Sequence, residues 1–290
     1  MVALLAQLAV NGIIWGALYA LLGLSWNIIY CTTGIFHFAH ALIFVAAGYA
    51  AVSVTMNAGL PLVLGFITAI FAAVVLGWVM ERGIYRPLRV LGASQTVIFA
   101  ASLGTLIFGE ALAHIIFKPL PRRLSGFPIE TINIGEINFT TLRLATLVIS
   151  YVVILAVWQY LKRTKSGKAI RAVGSNPEMA EALGINRDRI FLFVFALGSG
   201  LGALAGVLYT LDSAAHPQMG MPLIFPAFIV TFVGGVGSIP GVVAAGLLLG
   251  LAENISIAWL DTDYMVMISF AILLAVIILR PRGLFASGGS

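Results

Sequence analysis

The first 80 residues contain no Asp, Glu, Lys or Arg. A water-soluble fold cannot sustain such a run, because its helices and strands each need a charged or polar outer face. Hydrocarbon imposes the opposite demand: about 20 consecutive apolar residues per crossing, with every backbone N–H and C=O paired within the segment. The rest of the chain keeps that character. Apolar residues make up 61%, charged residues 9%, and mean hydropathy is +1.07; soluble domains carry about 25% charged residues. The fold class is therefore an all-α polytopic membrane protein, read as a single transmembrane domain over residues 1–290. The net charge of +5 follows from basic loops and does not indicate nucleic-acid binding. The single cysteine, Cys31, excludes an internal disulfide and a cysteine-rich metal site. No basic n-region or cleavage pattern marks the first apolar segment as a signal peptide, so it is expected to be retained.

Taken in order, residues 3–30 form one apolar run, about 42 Å long as a helix, with Gly12-x-x-x-Gly16 as a small-residue face for close packing. Thr32, Thr33 and Gly34 predict a break before Phe36-His37-Phe38-Ala39-His40 and a second span to about residue 54. A third span (60–80) leads into a basic loop with Glu81, Arg82, Arg86, Pro87 and Arg89. A fourth (94–117) carries Glu110 and His114. The loop at 118–141 alternates as a small β-hairpin turning at Gly135-Glu136. A fifth span (142–161) reaches a polar stretch, and a sixth (190–211) places Gly198, Gly202 and Gly206 at four-residue spacing, which requires another helix backbone close by. The chain re-enters near residue 223. Gly234-Gly-Val-Gly-Ser-Ile-Pro-Gly241 interrupts it, and spans at 242–258 and 264–279 follow. The loops at 81–89 and 162–189 and the tail hold 12 of the 16 Lys and Arg, so that side is expected to be cytoplasmic. The expectation is nine segments, or eight to ten with soft ends, with the N-terminus outside and the C-terminus inside.

The polar stretch 162–189 carries seven Lys and Arg. Within it lies a short helix with its own start and stop signals. Ser175 and Asn176 are N-cap types, Pro177 suits the first helical position and Glu178 suits the first turn. Ala180, Ala182 and Leu183 favour helix, and Gly184 is placed for a left-handed C′. So short a helix needs a surface to dock on.

No nucleotide-binding loop, zinc-protease motif or Cys/His cluster is present, so the chain is read as lacking catalytic residues, metal ligands and cofactor sites; ATP-driven work would require partner chains. His37 and His40 lie three residues apart but lack companion metal ligands, and hydrogen bonds to neighbouring backbone are the simpler expectation. Asn27, Thr32 and Thr33 are candidates to line a cavity at the break. Glu110 and Glu253 fall at or near membrane depth, where a carboxylate is a functional candidate. Asp212, Asp261 and Asp263 are expected on the outer side.

Four stretches resemble the LivH/LivM-type permeases of branched-chain amino-acid ABC importers. Gly34-Ile-Phe-His-Phe-Ala-His40 is similar to that family's G-x-x-N-F-A-H-G, and Glu81-Arg-Gly-Ile-Tyr-Arg-Pro-Leu88 to its E-R-x-x-x-R-P-L. Gly167 to Val173 followed by Asn176 to Ile185 resembles its cytoplasmic EAA-like loop, and Gly234 to Gly241 its glycine-rich turn. The resemblance implies an ABC importer permease fold in a bacterial or archaeal inner membrane. It makes Asn176, Pro177, Glu178, Ala180, Glu181, Ala182, Leu183 and Gly184 the coupling helix to an ATPase. It also implies two ATP-binding subunits that hold ATP and Mg, a second, LivM-like permease and a periplasmic or lipid-anchored binding protein. The path would be lined by Asn27, Thr32, Thr33, Gly34, His37, His40, Gly234, Gly235, Gly237 and Ser238. His37 stands where the family has Asn, and Ala41 where it has Gly. The substrate therefore stays open between branched-chain or other hydrophobic amino acids and urea, short amides or another small polar solute. A self-contained secondary transporter is the rival of a different class.

Overall fold

The computed structural model describes residues 1–285. Among them eight helices are long and apolar enough to cross a membrane, and a ninth, shorter apolar helix covers Gly220–Gly234. Helix α1 runs over Val2–Thr33, α2 over Ala41–Val52, α3 over Leu62–Met80 and α4 over Arg86–Val90. Then follow α5 (Gln95–Phe117), α6 (Thr141–Arg163), α7 (Lys165–Ser175) and α8 (Pro177–Ala182). The last four are α9 (Arg187–Asp212), α10 (Gly220–Gly234), α11 (Ile239–Ser256) and α12 (Met265–Leu279). Between α5 and α6, β1 (Thr131–Ile134) and β2 (Ile137–Thr140) pair antiparallel with Ile134 opposite Ile137. Gly135, at φ +64°, makes the expected two-residue turn.

The described residues divide into two compact units, each made of separate stretches of chain. One comprises residues 1–27, 127–155 and those from 225 onward. Its organising contact is backbone on backbone. A Cβ added at Gly12 would lie 2.8 Å from Gly250 O, and one at Gly16 would lie 2.9 Å from Gly246 O. Gly12-x-x-x-Gly16 of α1 thus faces a matching Gly246-x-x-x-Gly250 on α11, the close approach that small residues permit where lipid supplies no hydrophobic drive. Gln7 of α1 holds the hairpin: its side chain donates to Asn138 O (2.8 Å) and accepts from Asn138 N–H (2.7 Å).

The other unit comprises residues 28–126 and 156–224, with α2, α3 and α9 packed on one another at its centre. Gly206 of α9 sits against the backbone of Phe44, whose Cα is 3.0 Å from an added Cβ, and Gly202 against the His40 ring. The glycine spacing of α9 is therefore the footprint of α2. The basic segment after α3 is helix and not the expected loop. A π-turn, Glu81–Tyr85, continues α3 into α4. In it Arg86 N–H reaches back to Glu81 O, so the wider turn carries the ladder past Pro87, which has no N–H to donate. The turn also places Glu81 and Tyr85 on the buried face.

Candidate functional site

The polar stretch contains two helices. The first, α7, was not anticipated; its Gly167, Ile170 and Val173 are buried at three-residue spacing. Thr164 caps it by accepting from Gly167 N–H at 3.0 Å. That signature, a threonine three residues before a small-apolar-apolar stripe, was available in the sequence but is masked by the interleaved Lys165, Lys168 and Arg171. The second, α8, forms as its residues dictate. Asn176 Oδ1 accepts from Met179 N–H (2.9 Å). At the other end Gly184, φ +83°, donates to Glu181 O (2.9 Å), and Ile185 N–H reaches Ala180 O (3.0 Å). These two bonds are a Schellman cap, and Ile185 packs on the Ala180 cluster as that motif prefers. Only Ala180 of α8 is buried; Glu178, Met179, Glu181, Ala182 and Leu183 are exposed, Leu183 at 75%. Beside it Glu181, Gly184 and Arg187 help line a shallow polar groove.

Beneath α8 the contacts run inward. Ala180 joins Val173 and Phe191 in one buried cluster. Two guanidinium groups stand over the Phe191 ring, Arg89 at 4.6 Å and Arg187 at 5.0 Å from its centre. Arg89 also grips Glu81, which has no exposed surface, through both carboxylate oxygens, with Nη1 to Oε2 at 3.0 Å. Its Nη2 stands 3.8 Å from Asp188, which Arg86 holds at 2.7 Å. Asp188 lies in the first turn of α9, where a negative charge suits the helix dipole.

The expected break is present in the same unit. Helix α1 ends at Thr33, Gly34 takes φ +69°, and a 3-10 turn over Phe38–His40 leads into α2. Thr32 and Thr33 return their hydroxyls to Ile28 O (2.9 Å) and Ile29 O (2.8 Å). Gly34 is exposed, with nothing within 4 Å of the position of a Cβ. His37 and His40 are fully buried, their rings 5.3 Å apart. His37 Nδ1 pairs with the Tyr85 hydroxyl at 2.7 Å, a side chain and not the neighbouring backbone that was expected. Ser102 of α5 accepts from Ala39 N–H at 2.9 Å.

Asn27, Gly234, Gly235, Gly237 and Ser238 belong to the first unit. Gly235 (φ +103°) and Gly237 (φ +81°) turn the chain between α10 and α11, and Ser238 caps α11 by accepting from Gly241 N–H at 3.2 Å. Asn27 Oδ1 accepts from Gly237 N–H at 3.1 Å. The C-terminal segment closes this turn: Leu284 N–H bonds Val233 O (2.9 Å) and Phe285 N–H bonds Gly234 O (3.1 Å). Glu253 of α11 is buried in the same unit, accepting from the Tyr19 hydroxyl (2.6 Å) and from Ser269. Glu110, half-buried on α5, lies one turn from His114.

Membrane-crossing helices interrupted at a glycine, with a capped helix left exposed above a buried polar cluster, are the architecture of a membrane transport protein. The comparisons agree. The family described as "Branched-chain amino acid transport system / permease component" matches residues 8–277, and this chain belongs to it. LivH of Escherichia coli, a high-affinity branched-chain amino acid transport system permease protein, is 30% identical over 288 residues, covering 94% of this chain and 93% of that one. BraD of Pseudomonas aeruginosa, of the same description, is 30% identical with 96% and 94% covered. In fold the chain is similar to a chain of PsaBC from Streptococcus pneumoniae, with TM-score 0.53, 16% identity and 94% and 91% covered.

Proposed function

We propose that this chain is the membrane-spanning permease of an ATP-driven importer for branched-chain or other hydrophobic amino acids. It works with a second, LivM-like permease, two ATP-binding subunits that carry ATP and Mg, and an external binding protein. The observation that carries this reading is α8, a helix capped at both ends in which Ala180 is the one buried residue and the other five are exposed or half-exposed. A two-turn helix is marginal on its own, and an exposed Met179 and Leu183 flanked by Glu178 and Glu181 suit a groove in a partner. The C-terminus and α8 then lie on the cytoplasmic side. The residues read as lining the path are Asn27, Thr32, Thr33, Gly34, His37, His40, Gly234, Gly235, Gly237 and Ser238. Of these Gly34 offers open space, while His37 and His40 are enclosed by aromatic rings, so their part is to shape the segment.

The test is gentle purification of the tagged protein from its host with mass spectrometry of what accompanies it. Stoichiometric ATP-binding subunits and a second permease are the expected result; a lone chain that transports in liposomes without ATP overturns the reading. In the assembled complex Gly184→Pro, which cannot adopt φ +83° and loses the N–H bonded to Glu181 O, is expected to hydrolyse ATP without uptake. Glu181→Lys, which reverses a charge on the exposed face, is expected to do the same. Wild-type uptake by either variant at normal expression would remove α8 from the coupling role.

A further inference from the structure

We propose that Arg89 is the joint through which displacement of α8 reaches the interrupted segment at Gly34–His40, making the Glu81–Leu88 helix a transmission element. This deepens the importer reading and rests on it. Every link lies within one compact unit. Ala180 of α8 packs in the Phe191 cluster. Arg89 Cζ lies over the Phe191 ring at 4.6 Å and the guanidinium grips Glu81 with both arms, while Arg86 holds Asp188 beside it. Glu81 and Tyr85 bound one π-turn, and Tyr85 meets His37 at 2.7 Å. Tyr85 also hydrogen-bonds Ser102 of α5, and Ser102 Oγ in turn accepts from Ala39 N–H, so the tyrosine holds the segment at two places. A shift of Tyr85 therefore pulls on the segment both directly at His37 and through Ser102 at Ala39.

The chemistry of the joint favours motion transmitted as a body. A planar guanidinium with two parallel bonds to one carboxylate resists rotation where a lysine would swivel. The pair is buried at Glu81 and only 14% exposed at Arg89, so separating it strands a charge away from water. Sliding α4 with α8 keeps the pair intact and moves the π-turn instead. A π-turn is a local irregularity in helix packing, of the kind found often at functional sites.

A buried ion pair can also serve stability alone, and the two roles separate experimentally. The complex is reconstituted in proteoliposomes, and substrate imported per ATP hydrolysed is measured with assembly and basal ATPase as controls. Glu81→Met/Arg89→Met removes both charges together, which leaves neither stranded and preserves assembly. Tyr85→Phe removes one oxygen. Both are expected to assemble and hydrolyse ATP normally but to import at least about tenfold less per ATP, the size of an ordinary coupling free energy. Combined, they are expected to be no worse than either alone, because they interrupt one chain. Arg82→Gln, on the same helix but stacked on Trp78, should be silent. Wild-type import per ATP in Tyr85→Phe, or additive losses in the combination, overturns the proposal. Should the double variant fail to assemble, Tyr85→Phe decides alone. Absence of ATP-binding subunits from the wild-type preparation would instead overturn the importer reading, a result distinct from a coupled wild type with an unaffected Tyr85→Phe.

Discussion

At Glu253 a carboxyl group at membrane depth joins three helices, because Tyr19 comes from α1 and Ser269 from α12. Two hydroxyl donors satisfy it, which makes it a structural tie and gives the secondary-transporter rival little to use. Glu253→Gln keeps an acceptor for one hydroxyl and a donor for the other. It is expected to melt near the wild type and to retain ATP-driven uptake. Glu253→Leu leaves both hydroxyls buried without their partner, at a cost of about 1–3 kcal/mol each, and should lower the melting temperature in detergent. Loss of uptake in a well-assembled Glu253→Gln would return a proton-coupled mechanism to consideration. The residue was visible in the sequence as an anomaly. Its two partners were not, because Tyr19 stands 234 residues away and nothing periodic connects the two.

The helices themselves were largely legible, since each must satisfy its own backbone and so advertises itself as an apolar run with local end signals. Asn176 and Gly184 mark the ends of α8, and Gly34 marks the interruption after α1, because capping and positive φ are chemistry of adjacent residues. Two elements were misread for one reason. In α7 and in the Glu81–Val90 extension, charged residues on the exposed side are at least as many as the few buried ones, and the helical face is drawn by Ile170 and Val173 or by Glu81 and Tyr85 alone. Glycine stripes announced close packing without naming the partner. Gly12→Val would drive a branched side chain into the Gly250 and Leu251 backbone, 2.8–2.9 Å away, where overpacking costs about 1–3 kcal/mol or more. Gly104→Val on α5, with nothing within 4 Å, is the matched control. Thermal melts of the two purified proteins should show a clear loss for the first and near wild-type behaviour for the second; equal melting would refute the α1–α11 contact.

For the molecule as a whole, the distribution of Lys and Arg predicts sidedness, and substituted cysteines check it. In a Cys31→Ser background, Glu136→Cys in the hairpin should react with a membrane-impermeant maleimide in intact cells, and Met179→Cys on α8 only after permeabilisation. Labelling of Met179→Cys from outside would invert the topology and remove α8 from contact with ATP-binding subunits. The sequence by itself determined that the chain is a membrane bundle of about nine helices, where one of them breaks and where a small capped helix forms. Those properties follow from hydrocarbon excluding charge and from backbone chemistry among near neighbours. Only the tertiary structure decided which backbones meet at the glycines, that Arg89 sits between Phe191 and Glu81, and that Tyr85 answers His37. Such pairings join residues tens to hundreds of positions apart on different helices, and packing alone selects among the many partners that local pattern allows.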